Sequence, residues 1–127
     1  MQRQKRILVV DDEPDIIAFL QDLLEQESYI VAITTRGERV EQLHGRELPD
    51  LILLDAFLPD KNGQDIVKHL KDQEETRHIP IIMFSAHPGA KKIAQEAGAD
   101  DFVAKPFEVD ALLTNIASHL GQGMNCD

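Results

Sequence analysis

A chain of 127 residues can bury one real core and is too short for two ordinary domains, so a single domain over residues 1–127 is expected. Apolar residues make up 43% and charged residues 28%, as in soluble globular proteins, while a net charge of −10 and a pI near 4.8 count against gripping a phosphate backbone; no direct nucleic-acid partner is expected. The lone Cys126 cannot close an intramolecular disulfide, and the apolar run behind the basic start is only Ile7 to Val10, so the expectation is a cytoplasmic protein with no signal peptide or membrane partner.

Ile7 to Val10 reads as the first strand, ended by Asp11-Asp12-Glu13-Pro14. Pro14 suits the first turn of a helix, where its missing N–H costs nothing, and the acids before it suit the positive helix end. Ile16, Ile17, Leu20, Leu23 and Leu24 then form a stripe of period 3.6, closed over Gln26 to Ser28. Tyr29 to Thr34 predicts a second, shorter strand. From about Arg36 to His44 a weak helix offers only Val40 and Leu43 to a core. Leu51 to Leu54 are four consecutive aliphatic residues, the pattern of a strand buried on both faces, and the carboxylate of Asp55 follows at once.

Beyond Asp60-Lys61-Asn62-Gly63, a set of turn residues that suits a helix start, Ile66, Val67 and Leu70 mark a third helix that charged residues end by Arg77. Ile79 to Phe84, with Pro80 early, predicts the fourth strand, and Ser85 sits at its end. A fourth helix of mostly small apolar residues, Ala90, Ile93, Ala94 and Ala97, stops at Gly98. Phe102-Val103-Ala104 is a short fifth strand running into Lys105-Pro106. Val109, Leu112, Leu113, Ile116 and Leu120 stripe the last helix, which Gly121 and Gly123 end. Strands alternate with helices throughout, which predicts an α/β fold: a parallel sheet with helices on both faces.

Polar side chains therefore gather at one end of four strands: Asp11 and Asp12, Asp55, Ser85, and Lys105. In open parallel sheets, ligands collect beyond the carboxyl ends of the strands. Each residue taken singly has a plainer reading. Asp11 could cap a helix, Ser85 could end a strand, and Lys-Pro is a common surface dipeptide. Their joint placement on one sheet edge argues for shared chemistry. The five histidines, 44, 69, 78, 87 and 119, show no ligand spacing.

The stretches Ile-Leu-Val-Val-Asp-Asp-Glu-Pro, Leu-Ile-Leu-Leu-Asp-Ala-Phe-Leu-Pro, Phe-Ser-Ala and Ala-Gly-Ala-Asp-Asp-Phe-Val-Ala-Lys-Pro-Phe closely resemble the receiver domains of two-component response regulators, in order, from about residue 6 to 120. The resemblance implies a flavodoxin-like (βα)5 sheet of strand order 2-1-3-4-5. It implies Asp55 as phosphoacceptor, taking a phosphoryl group from a histidine kinase or histidine phosphotransfer protein. Mg²⁺ or Mn²⁺ would be held by Asp11 (through water), Asp12, Asp55 and the backbone carbonyl of Phe57. Lys105 would pair with Asp55 before phosphorylation and with the phosphoryl oxygens after it, Ser85 would donate its hydroxyl to them, and Phe102 would be the switching aromatic. The bond before Pro106 would be cis, Phe57 and His87 would tune how fast water removes the phosphate, and output would pass to an effector or a second copy through the face of the fourth helix, fifth strand and fifth helix. The chemistry would be that of a signalling phosphoacceptor rather than an enzyme.

Ser85 replaces the commoner Thr, and the span from Ser85 to Lys105 is a little short for the family, which should trim the fourth helix or the loop before it. A dehalogenase-type phosphatase also uses an Asp nucleophile, but it needs a second Asp two residues on, where this chain has Phe57. A nucleotide-binding module lacks its Gly-rich phosphate loop. A receiver kept only as a docking surface would not need the complete Asp, Ser and Lys set. With no DNA-binding segment after Gly121, the expectation is a free-standing regulator or a receiver module from a hybrid kinase or transcription factor.

Overall fold

The computed structural model describes residues 4–121, so Gly123 and Cys126 lie outside the described residues. Five parallel strands, β1 (Arg6–Val10), β2 (Ile30–Thr34), β3 (Leu51–Asp55), β4 (Ile81–Ser85) and β5 (Asp101–Ala104), form one sheet in the order β2-β1-β3-β4-β5. Helices α1 (Pro14–Gln26), α2 (Gly37–Glu41), α3 (Gly63–Asp72) and α4 (Ala90–Ala97) connect them, and α5 (Val109–His119) follows β5. Every side chain of β3 and β4 is buried, because both strands are covered on two faces. Alternation divides the core. Leu8, Val10, Ile52, Leu54, Ile81 and Met83 pack against α2, α3 and α4; Ile7, Val9, Leu51, Leu53, Ile82 and Phe84 pack against α1 and α5.

The expected elements are present, with three corrections. The helix predicted from Arg36 to His44 shortens to Gly37–Glu41, followed by a 3₁₀ turn at Gly45–Glu47; Val40 is fully buried, and Leu43 only packs at the margin of the core. Helix α3 stops at Asp72 instead of reaching toward Arg77, and the Thr76 hydroxyl donates to the Leu70 carbonyl at 2.6 Å to close its end. Pro80 stands before β4 rather than in it, yet its carbonyl still accepts from Ile52 N–H at 3.0 Å. Ser28 turns the chain out of α1 at φ 71°, a left-handed conformation that local sequence did not signal.

Two long-range anchors hold the loops. Asp60, in the β3–α3 loop, caps α2 from across the fold: its carboxylate accepts from Gly37 and Glu38 N–H at 3.0 and 3.1 Å, and the neighbouring Lys61 pairs with Glu41 at 2.8 Å. At the opposite edge of the sheet, the Lys71 ammonium donates to the carbonyls of Arg77 and Ile79 and to Asp100, which also accepts from Ile81 N–H at 2.8 Å. Because α2 is so short, Ile30 stays 45% exposed, and a groove of about 480 Å³ opens between β2 and α2.

Gly63 opens α3 against the backbone that follows Asp55. A Cβ there would stand 2.9 Å from both the Cα and the carbonyl oxygen of Ala56, atoms that no side-chain rotation can move. Gly63→Ala is therefore expected to destabilise the fold by about 1–3 kcal/mol, the usual cost of overpacking. Urea denaturation checks this: an unchanged midpoint would show that α3 can shift freely.

Candidate functional site

Parallel pairing puts the carboxyl ends of β1, β3, β4 and β5 on one edge. Asp55 is the last residue of β3 and lies opposite Phe84, while Ser85 ends β4 opposite Ala104, one residue before Lys105. Asp11 follows β1, and its N–H donates to the Thr34 carbonyl at 3.2 Å. Asp11, Asp12, Asp55 and Lys105 thus meet at one sheet edge, where Ser85 also ends its strand. Carboxylate oxygens of Asp11, Asp12 and Asp55 all fall within 4.8 Å of one another, with Asp11 and Asp55 buried and Asp12 exposed.

The carboxylates have different partners. Asp11 accepts from Glu13 N–H at 2.8 Å, and Asp55 accepts from Phe57 N–H at 3.1 Å. Burial of the Asp55 carboxyl pushes its pKa up to about 6. The Phe57 N–H and the Lys105 charge oppose that shift, and the charges of Asp11 and Asp12 add to it. For Lys105 burial disfavours the ammonium, but the Glu13 hydrogen bond and the charges of Asp55, Asp11 and Glu13 outweigh it and hold its pKa above the ordinary lysine value.

Lys105 forms an ion pair with Asp55 but is not hydrogen-bonded to it. Its ammonium lies 3.9 Å from Asp55, in ion-pair range but beyond hydrogen-bond distance. Closer contacts go to Glu13 at 3.0 Å and Asp11 at 3.3 Å. The same nitrogen stands 4.9 Å from the centroid of the Phe84 ring, and Phe107 packs edge-on against that ring at 5.4 Å. Sequence reasoning missed Glu13 and Phe84 as neighbours of the site. Glu13 was visible only as a third acid in Asp-Asp-Glu-Pro, and Phe84 only as one more apolar residue of a strand.

The Ser85 oxygen accepts from His87 N–H at 3.0 Å, and among the described residues its hydroxyl donates to nothing. Lys105 N–H donates to the Ser85 carbonyl at 3.0 Å, and the Lys105–Pro106 bond is cis. Phe57 is 43% exposed, its ring tilted against that of His87 at 5.2 Å. Phe102 is half-buried at the margin of the core that α3 and α4 cover. Of the other histidines, His119 is held by Asp101 at 3.0 Å.

Among the described residues, no helix is long and apolar enough to cross a membrane. Comparison with known proteins points one way. The response regulator PleD of Caulobacter vibrioides is 37% identical over 115 residues, 89% of this chain, although the chain spans only 25% of PleD. The polar-differentiation response regulator DivK of Brucella abortus is 34% identical over 119 residues, 92% of this chain and 97% of DivK. The receiver domain of the sensor histidine kinase PA1611 of Pseudomonas aeruginosa PAO1, with a magnesium ion coordinated in its active-site cleft, superposes with a TM-score of 0.86 at 28% identity, covering 94% of this chain and 99% of that one. The family model of the response regulator receiver domain matches residues 7–117, and with the strand order and the acidic edge described above it establishes that this chain belongs to that family, the phosphorelay receivers of two-component signal transduction.

Proposed function

We propose that Asp55 accepts a phosphoryl group from a phosphohistidine on a partner histidine kinase or phosphotransfer protein. The supporting observation is the placement of its buried carboxylate at the end of the central strand, between two further carboxylates and a lysine ammonium. In the transfer, an Asp55 oxygen attacks phosphorus, the P–N bond breaks, and its electron pair leaves on the imidazole, which takes up a proton. The protein's part is positioning and charge. Phe57 N–H fixes one Asp55 oxygen and leaves the other, on the Lys105 side, to react. Lys105 is near enough to bind the incoming phosphoryl oxygens.

Asp11, Asp12, Asp55 and the Phe57 carbonyl are hard oxygen donors and fit Mg²⁺, with Asp11 acting through water; the bound ion would supply positive charge against that of the phosphoryl group. Ser85 has a hydroxyl proton to give. Moving a two-state equilibrium from 1:99 to 99:1 takes about 5.5 kcal/mol, and charge-assisted hydrogen bonds supply roughly 1.5–3 kcal/mol each. Ser85 and Lys105 together just reach that figure; neither does alone. Phe102, with no hydroxyl to bury, moves inward as Ser85 is drawn to the phosphoryl group, and the face of α4, β5 and α5 changes for an effector or a second copy. Phe57 and His87, in contact over the site, shield the acyl phosphate from water.

Mass spectrometry after treatment with acetyl phosphate and Mg²⁺ is expected to find one added PO₃ group, absent in Asp55→Asn; labelling that survives this substitution would refute the assignment. Ser85→Ala is expected to take up phosphate and switch incompletely in a dimerisation or effector-binding assay. Full switching would remove Ser85 from the mechanism.

Burial of the Asp55 carboxyl, with the charges of Asp11 and Asp12 adding to it, gives a third test. In metal-free protein the Asp55 pKa is raised from 3.8 to about 6, so its contribution to stability is fully present below pH 3.8 and lost as pH rises through 6. Asp55→Asn should escape that loss. Its gain over the parent is expected to be absent near pH 4 and to level off above pH 7 at about 1–2 kcal/mol, allowing for solvent screening at the open side of the cleft. Mg²⁺ at ten times its dissociation constant should stabilise the parent by about 1.4 kcal/mol, a rise of roughly 3–8 °C in Tm. Melting curves indifferent to Mg²⁺ would count against the metal assignment.

A further inference from the structure

The acid closest to the Lys105 ammonium is Glu13, at 3.0 Å, against 3.3 Å for Asp11 and 3.9 Å for Asp55. Glu13 is the N-cap residue of α1, a position whose side chain commonly turns in to accept from the first turn. Here it makes no such bond and reaches instead to a residue 92 positions away in sequence. An ammonium has three donors. Two of them are taken by Glu13 and Asp11, and the Phe84 ring flanks the same nitrogen.

We infer that Glu13 is a positioning residue that holds Lys105 back from Asp55 and competes with the phosphoryl group for its ammonium. The inference rests on Asp55 being the phosphoacceptor. The two acids holding Lys105 differ in how easily they let go. Asp11 is fully buried, and in metal-free protein breaking its bond to Lys105 would leave that charge away from water until another cation took the lysine's place. The Glu13 side chain is 60% exposed, and water can replace the lysine there. The exchange on phosphorylation therefore falls on Glu13: its carboxylate returns to solvent as Lys105 turns to the phosphoryl oxygens. An exposed pair of this kind is weak, so Glu13 acts as a graded restraint on Lys105 and sets how readily the phosphorylated arrangement forms.

Three variants test this in the intact chain. Glu13→Gln removes the charge, Glu13→Asp keeps the charge and shortens the reach, and Asp15→Asn neutralises an exposed acid in the first turn of α1 that has no partner among the described residues. Affinity for beryllofluoride with Mg²⁺, a phosphoryl stand-in, is the first readout. The Lys105 side-chain NMR shift in metal-free protein is the second. Both Glu13 variants are expected to bind beryllofluoride about two- to five-fold more tightly and to move the Lys105 resonance, with Asp15→Asn matching the parent in both. Unchanged or weaker binding by Glu13→Gln, or an equal gain from Asp15→Asn, would overturn the inference. If the parent protein bound no beryllofluoride and took no phosphoryl group, the phosphoacceptor reading and this inference would fall together; failure in the variants alone would overturn only the latter.

Discussion

Like charge forced together at the edge of a sheet is the constraint on which the rest of the molecule depends. Three carboxylates share a space of a few ångströms, and one ammonium is divided among two of them and a fourth acid. At an effective dielectric of 20, two charges about 4 Å apart repel by roughly 4 kcal/mol, so this edge opposes folding. The central strands offset that opposition. Residues 51–54 and 81–84 bury nearly all their surface on both faces, and each large aliphatic side chain so buried is worth roughly 1.5–3 kcal/mol. The apolar run just before Asp55 is therefore what permits a strained carboxylate there.

The β3–α3 loop extends this local chemistry. It carries the N–H that fixes Asp55, runs up to the glycine that opens α3 against Ala56, and holds the carboxylate that caps α2. Helix α2 has five residues and no side-chain cap from its own N-terminal neighbour. Its hold on the sheet comes from Val40, from the Lys61–Glu41 pair and from a loop whose other end touches the site. The groove beside β2 follows from the same shortness.

Much of the fold was legible because its signals are local. Four aliphatic residues before Asp55 read as a doubly covered strand, and the stripes of α1 and α5 repeat every three or four residues over several turns. What was not legible depends on distance. Ser28 adopts a left-handed turn that local sequence did not mark. The end of α3 is closed by a Thr76 hydroxyl finding a carbonyl six residues back, and the start of α2 is capped by an aspartate more than twenty residues ahead. The site shows the same divide. Asp11, Asp12, Asp55, Ser85 and Lys105 could be gathered from the ends of strands, and their roles came from resemblance. Which acid holds the lysine depends on packing between residues 13 and 105, and no periodicity encodes it.

The Lys71–Asp100 anchor lies at the other rim of the sheet, away from the carboxylates. One rim fastens the layers and the other carries the chemistry, with five short strands between them. That division makes the fold permissive. Loops around Asp55 can vary in sequence while the clasp goes on holding the scaffold shut.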